Sequence, residues 1–142
     1  MFNIININNK KQELDNILRC NNITNKNNLN LTYNEALKLI ENKNKLLKNL
    51  GKIEINISTT QNIIYKFYDS MYIDKENYFE MISSLVEIFY FYQFELSSFL
   101  SDEEILNYMY WEFNNDCNGS LSLLKDKLYV LKEMLESGTY YE

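Results

Sequence analysis

The chain has 142 residues, 46% of them apolar and 15% aromatic, with a formal charge of −6 and no histidine. That length suits one domain, and that much apolar surface can offset the entropy of ordering a backbone, so a disordered chain is excluded. The absence of imidazole removes Ser-His and Cys-His dyads, a histidine general base and His-containing zinc sites.

Composition and charge are unevenly spread. Twenty-two Asn, nineteen Leu and fifteen Ile stand beside one Arg, one Ala and no Pro, a skew expected of AT-rich codons. Residues 1–62 carry nine Lys/Arg and five Asp/Glu, a net +4, whereas residues 63–142 carry five Lys and fifteen Asp/Glu, a net −10. A negative total disfavours nucleic-acid phosphates, so no direct nucleic-acid binding is expected. The acidic half reads either as a solvated face or as a surface for a basic partner. Residues Met1 to Ile7 lack the basic-then-apolar pattern of a secretory signal, and no window holds the ~18–20 apolar residues of a membrane span. A cytoplasmic protein without membrane contact is expected. Cys20 and Cys117 are then reduced thiols, and two lone cysteines make no metal site; no cofactor is implied.

In chain order, residues 2–7 alternate loosely between Ile and Asn, and residues 53–57 alternate cleanly. Both read as short extended segments able to pair as a two-stranded β-ribbon. Between them Leu14, Ile17 and Leu18 fall at helical spacing over residues 10–20, and Asn21 to Asn30, with six Asn in ten residues, reads as a flexible connector. Thr32 and Glu35 form a capping box that opens a helix from 33 to about 50, closed by Gly51. Ser58 and Gln61 read as a second box, opening a helix to about Ser70. Asp74 caps a long helix, 75–99, whose core stripe is Tyr78, Ile82, Leu85, Phe89, Tyr92 and Leu96. Ser101 starts the next, with Ile105, Leu106, Met109 and Phe113 on one face. After the break Asn114 to Gly119, the last helix carries Leu121, Leu124, Leu128, Leu131 and Leu135, and Gly138 ends it. The expected fold is mainly α, a single domain over 1–142 of about six helices plus the short ribbon, with residues 1–30 partly flexible.

Four constellations invite a chemical reading. Asn114 to Leu121 mimics the start of a calcium loop, but the position for the bidentate Glu is Lys125, which leaves a plain interhelical turn as the better reading. Cys117 precedes a helix N-terminus, where the macrodipole favours a thiolate, yet Asp116 adjoins it and no base is available. Glu76, Glu80 and Glu87 share a helix side without a partner helix to make them an acid/base pair. Lys38, Lys45, Lys48 and Lys52 lie together on the 33–50 helix and its exit without the Arg and aromatics of a nucleic-acid surface.

The aromatic pattern is more informative. Residues 65–113 hold sixteen Phe, Tyr or Trp in forty-nine positions. Phe91 and Phe94 project off the core stripe of the long helix, and Trp111 projects with Glu104 and Asn107. Either the long helix is central and buried on both sides, or these residues are exposed anchors with an acidic rim. On the second reading the partner-binding residues are Trp111, Phe91 and Phe94, with Glu87, Glu95, Glu103 and Glu104 steering a basic protein partner.

Leu31 to Ala36, Gly51 to Glu54, Ile88 to Tyr92, Ser101 to Ile105 and Cys117 to Leu121 together resemble a family of small uncharacterised cytosolic proteins of Firmicutes-type bacteria, over about residues 30–132. The resemblance implies a bacterial or phage setting and no catalytic residue, since that family has no assigned activity. The function expected is a non-enzymatic protein–protein interaction module, an accessory or regulatory subunit. The alternatives are an acidic phage-type inhibitor occupying the nucleic-acid channel of a host or defence enzyme, and a thiol- or carboxylate-dependent enzyme.

Overall fold

The structure, a computed structural model, describes residues 2–54 and 56–139, with the side chains of residues 2–8 left aside. The elements are α1 (Phe2–Arg19), α2 (Asn21–Thr24), a 3₁₀ turn (Asn25–Asn27), α3 (Tyr33–Asn49), α4 (Thr59–Phe67), α5 (Tyr78–Leu96), α6 (Asp102–Asn114) and α7 (Leu121–Ser137). Six of these helices run to nine residues or more, so the mainly α reading holds. Among the described residues no helix is long and apolar enough to cross a membrane.

The β-ribbon is overturned. Residues 2–7 belong to α1, and 53–57 form no strand among the described residues, with Ile55 outside them. Helix nucleation is the unfavourable step and propagation the easy one. Once Glu13, Leu14 and Ile17 are buried on one side of α1, the Ile/Asn run upstream extends a helix rather than seeking a partner strand. In the 53–57 segment, side chains take the backbone groups that a ladder would need. Glu54 Oε1 accepts from Asn56 N, Asn56 Oδ1 accepts from Ser58 N, and Thr59 Oγ1 donates to the Asn56 carbonyl, a local alternative to sheet pairing.

The asparagine-rich connector is likewise built rather than plain loop. Asn21 clasps the Leu31 peptide with both ends of its amide, accepting from Leu31 N and donating to Leu31 O at 2.9 Å each. Thr24 Oγ1 donates to Leu29 O at 2.6 Å, and Asn28 takes the left-handed conformation, φ 62°. Asn supplies both of these devices at low steric cost.

Two helix starts form the capping boxes read from the sequence, one further cap was not read, and two starts differ. Thr32 and Ser101 each form a complete capping box with the Glu three residues on, and Ser120 accepts from Leu123 N at the start of α7. Ser58 makes no side-chain cap bond. α5 starts three residues later than its cap predicts, because Asp74 accepts from Glu76 N and Asn77 N in a separate turn. Gly51 and Gly138 close α3 and α7 at φ 69° and 74°, a region where a Cβ is strained.

The chain divides into two compact units, Met1–Val86 and Glu87–Glu142, with α5 supplying residues to both. In the first, α1 packs on α3 and α4; Ile17, Ala36, Leu39, Ile40, Ile63, Ile64 and Phe67 are buried. In the second, α6 packs on α7; Phe89, Tyr92, Leu96, Ile105, Met109, Phe113, Leu124 and Leu131 are fully buried. The expected core stripe of α5 is buried along its whole length.

Candidate functional site

In the second unit α5 and α7 flank a cleft. Tyr92 Oη donates to the Leu124 carbonyl at 2.6 Å, and Glu95 pairs with Lys132 at 2.5 Å. The partners advance in the same sense along both helices, so the two run in the same direction, with α6 returning the chain between them. A cleft of ≈ 330 Å³ opens here, lined by Glu87, Ile88, Phe91 and Tyr92 of α5 and by Lys125, Leu128 and Tyr129 of α7. Helical spacing explains the set. Residues 87, 88, 91 and 92 fall on one side of α5, and 125, 128, 129 and 132 on one side of α7, at i, i+3 and i+4. Tyr92 and Leu128 are buried and form the floor, whereas Tyr129 is 65% exposed at the rim.

The sequence-predicted residues divide around this cleft. Glu87 and Phe91 line it together, Glu87 exposed and Phe91 half-buried. Phe94 lies one turn further along α5 and is 46% exposed. Glu95 is held by Lys132, and the hydrogen bond to Glu95, then its charge, pushes the Lys132 ammonium above its ordinary range. Trp111, Glu103 and Glu104 stand on α6 and do not line the cleft. Trp111 is 56% exposed, Glu103 is exposed, and Glu104 holds Ser101 N within the capping box. Exposure thus describes Phe94 and Trp111, and partial burial describes Phe91. Sequence reasoning missed Tyr129 and its exposed neighbour Val130. Both stand off the leucine stripe of α7, a signal that was present but masked by the regularity of the seam.

The acidity of the second unit is pronounced: eleven Asp/Glu face three Lys over residues 87–142, a net −8. Among the described residues of this unit one carboxylate, Glu112, is buried. Burial, ahead of the partial offset from Lys127, raises the Glu112 carboxyl above its usual range; its Oε2 accepts no hydrogen bond and lies 3.5 Å from Lys127 Nζ. Cys117, which the helix-start argument offers as a thiolate, is 2% exposed. Burial, then the Glu112 charge, pushes its thiol up, and burial does the same to Cys20. Both thiols of the folded protein are expected to react with a maleimide at pH 8 at least about tenfold more slowly than in urea, since the thiolate is the reactive form. Equal rates would show an accessible, ionisable Cys117. The turn Asn114 to Gly119 uses its amides to close α6, with Asn114 Nδ2 donating to Tyr110 O and Asn115 Nδ2 to Trp111 O. No group of three metal-ligating side chains forms among the described residues.

A second polar feature lies in the first unit. Lys43 of α3 donates to both Glu13 oxygens of α1 at 2.6 Å, and the two side chains are 3% and 5% exposed. Thr60 of α4 adds a longer bond to Glu13 Oε2, 3.4 Å. The sequence held a signal for it. Lys43 occupies a stripe position among Ala36, Leu39, Ile40 and Leu47, all buried, and Glu13 precedes Leu14 and Ile17 on the buried side of α1.

Comparison with known proteins supplies a family and nothing finer. A family model described as a family of unknown function (DUF6323) matches residues 16–140, further in both directions than the resemblance read from motifs. No curated protein and no solved structure matches the chain.

Proposed function

The chain belongs to the DUF6323 family of unknown function, and from the geometry of its second unit we propose that it is a non-enzymatic protein–protein interaction module, an accessory or regulatory subunit. The observation that carries the reading is the α5/α7 cleft. A half-buried Phe91 wall and exposed Tyr129, with Phe94 and Val130 close by in sequence and exposed, offer a pocket for an apolar side chain in a unit of net charge −8. Aromatic anchors beside a polar rim are what interface hot spots use. The complementary partner is a protein that presents a large apolar residue among lysines or arginines, with the acidic field speeding its encounter. Trp111, exposed on α6, serves as a further anchor, with the exposed Glu103 on the same helix as a rim charge. A bacterial cytoplasmic setting suits two cysteines that the fold keeps as buried thiols. The buried Cys117 thiol, pushed up by burial, and the loosely paired buried carboxylate Glu112 support the non-enzymatic reading.

The test is affinity capture with wild type, Phe91→Ala/Tyr129→Ala, Glu87→Lys and Trp111→Ala proteins, each checked for helical content. A partner retained by wild type should lose at least about tenfold in affinity with the double variant, the scale of a hot-spot truncation. Its retention should weaken with salt. Equal retention by all folded variants would remove the cleft from the function. Competition of that partner by nucleic acid would instead favour the inhibitor of a nucleic-acid channel.

A further inference from the structure

The buried Glu13–Lys43 pair is poorly explained as a source of stability. Burying two charges costs several kcal/mol of solvation, about what their attraction returns, and apolar residues of the same volume are often as good. Its position offers a reason. The pair forms part of the wall of a cavity of ≈ 440 Å³ between α1, α3 and the segment leading to α4, a volume within the range of small-molecule sites. Four lysines line it, Lys10, Lys43, Lys48 and Lys52, against two acids, Glu13 and Glu54, and one flank is apolar, formed by Leu47, Ile53 and Ile57. Lys43 gives two N–H groups to the Glu13 carboxylate and has a third. Lys10 is engaged only loosely, 3.8 Å from the exposed Glu41.

We propose that this cavity is a binding site for a small organic anion, an oxyanion head (carboxylate or phosphate) on a short apolar body. The lining carries a net +2 in a protein of net −6, so the local field selects an anion against the sign of the whole molecule. The head sits among Lys48, Lys52 and the remaining Lys43 N–H, and the body lies along Leu47, Ile53 and Ile57. Glu13 fixes the Lys43 ammonium from behind, so the donor is preorganised and loses little side-chain entropy on binding.

The experiment is a titration of ¹⁵N-labelled full chain at low ionic strength, followed through backbone amide shifts. The probes are hexanoate, inorganic phosphate and, as control, hexylammonium. Saturable shifts at Lys43, Leu47 and Thr60 with hexanoate, absent with hexylammonium and weakened at least about tenfold in Lys48→Gln/Lys52→Gln, are expected, since exposed charges are felt most where salt is low. Phosphate binding as tightly as hexanoate would assign the site to the oxyanion head alone, and weaker binding would assign part of it to the apolar flank; either supports an anion site. The proposal is overturned if neither anion gives a saturable shift, if hexylammonium gives the same one, or if the double variant, folded by its amide spectrum, binds as wild type does. Lys48 is exposed, and neither substituted lysine is part of the α5/α7 cleft, so the outcome is independent of the interaction reading.

Discussion

Lys43→Met alone is expected to destabilise the protein by about 3–5 kcal/mol, enough to consume a large share of the ~5–15 kcal/mol by which a domain of this size is stable. The reason is asymmetry. The pair with Glu13 is worth little net, but removing the ammonium leaves a carboxylate 5% exposed with only the Thr60 hydroxyl at 3.4 Å. Glu13→Leu/Lys43→Met together should recover most of that loss, because nothing charged is then left in the core. Urea unfolding followed by circular dichroism measures Lys43→Met, Glu13→Leu and the double variant, and the pair's coupling is the difference between the double change and the sum of the singles. Glu41→Gln is the control. Its ion pair with Lys10 is 3.8 Å long, with side chains 43% and 57% exposed, and such pairs contribute about 0–1 kcal/mol. A Lys43→Met loss no larger than that of Glu41→Gln would mean that Glu13 finds water in the neighbouring cavity.

How much of this was legible before the structure depends on how local the signal was. The starts of α3 and α6 and the closures at Gly51 and Gly138 follow from a few adjacent residues, and they form as read. The buried stripes of α5 and α6 follow from 3.6-residue periodicity alone. The ribbon failed for the opposite reason. Alternation over five or six residues says only that one face is apolar, and whether a strand forms depends on a distant partner that the sequence does not specify. Asn21 to Asn30 looked like loop because Asn is permissive; that the Asn21 amide meets the Leu31 peptide, ten residues on, is a fact of three-dimensional closure. The site was half legible. Phe94 and Trp111 are exposed, as their departure from the stripes allowed. That Phe91 and Glu87 face Tyr129 rather than Trp111 is a matter of which helix packs beside α5, and no spacing rule reports that. Lys43 was hidden because lysine is almost never fully buried unless paired, and its partner Glu13 lies 30 residues away in the chain.

Phe89→Ala and Phe91→Ala, two positions apart on α5, are expected to fail in different ways. Phe89 is fully buried and stacks edge-on against Tyr90, with ring centroids 5.3 Å apart. Its truncation removes the transfer energy of the ring and leaves a cavity, so a loss of about 3–5 kcal/mol follows. Phe91 is half-buried on the wall of a cleft already open to water. Truncating it enlarges that opening without creating an enclosed void, and the stability loss should stay near 1 kcal/mol, in the range of ordinary substitutions. Binding should rank the two the other way. At a temperature where both variants are folded, Phe89→Ala keeps the α5/α7 wall and should keep the affinity of a captured partner within about threefold, whereas Phe91→Ala removes an anchor and weakens it at least about tenfold. Thermal unfolding and a binding isotherm on the same preparations read both quantities. The reading fails if the two substitutions lower stability equally, which would make Phe91 a core residue. It fails equally if affinity follows stability across the pair, because the cleft would then act only through the fold that supports it.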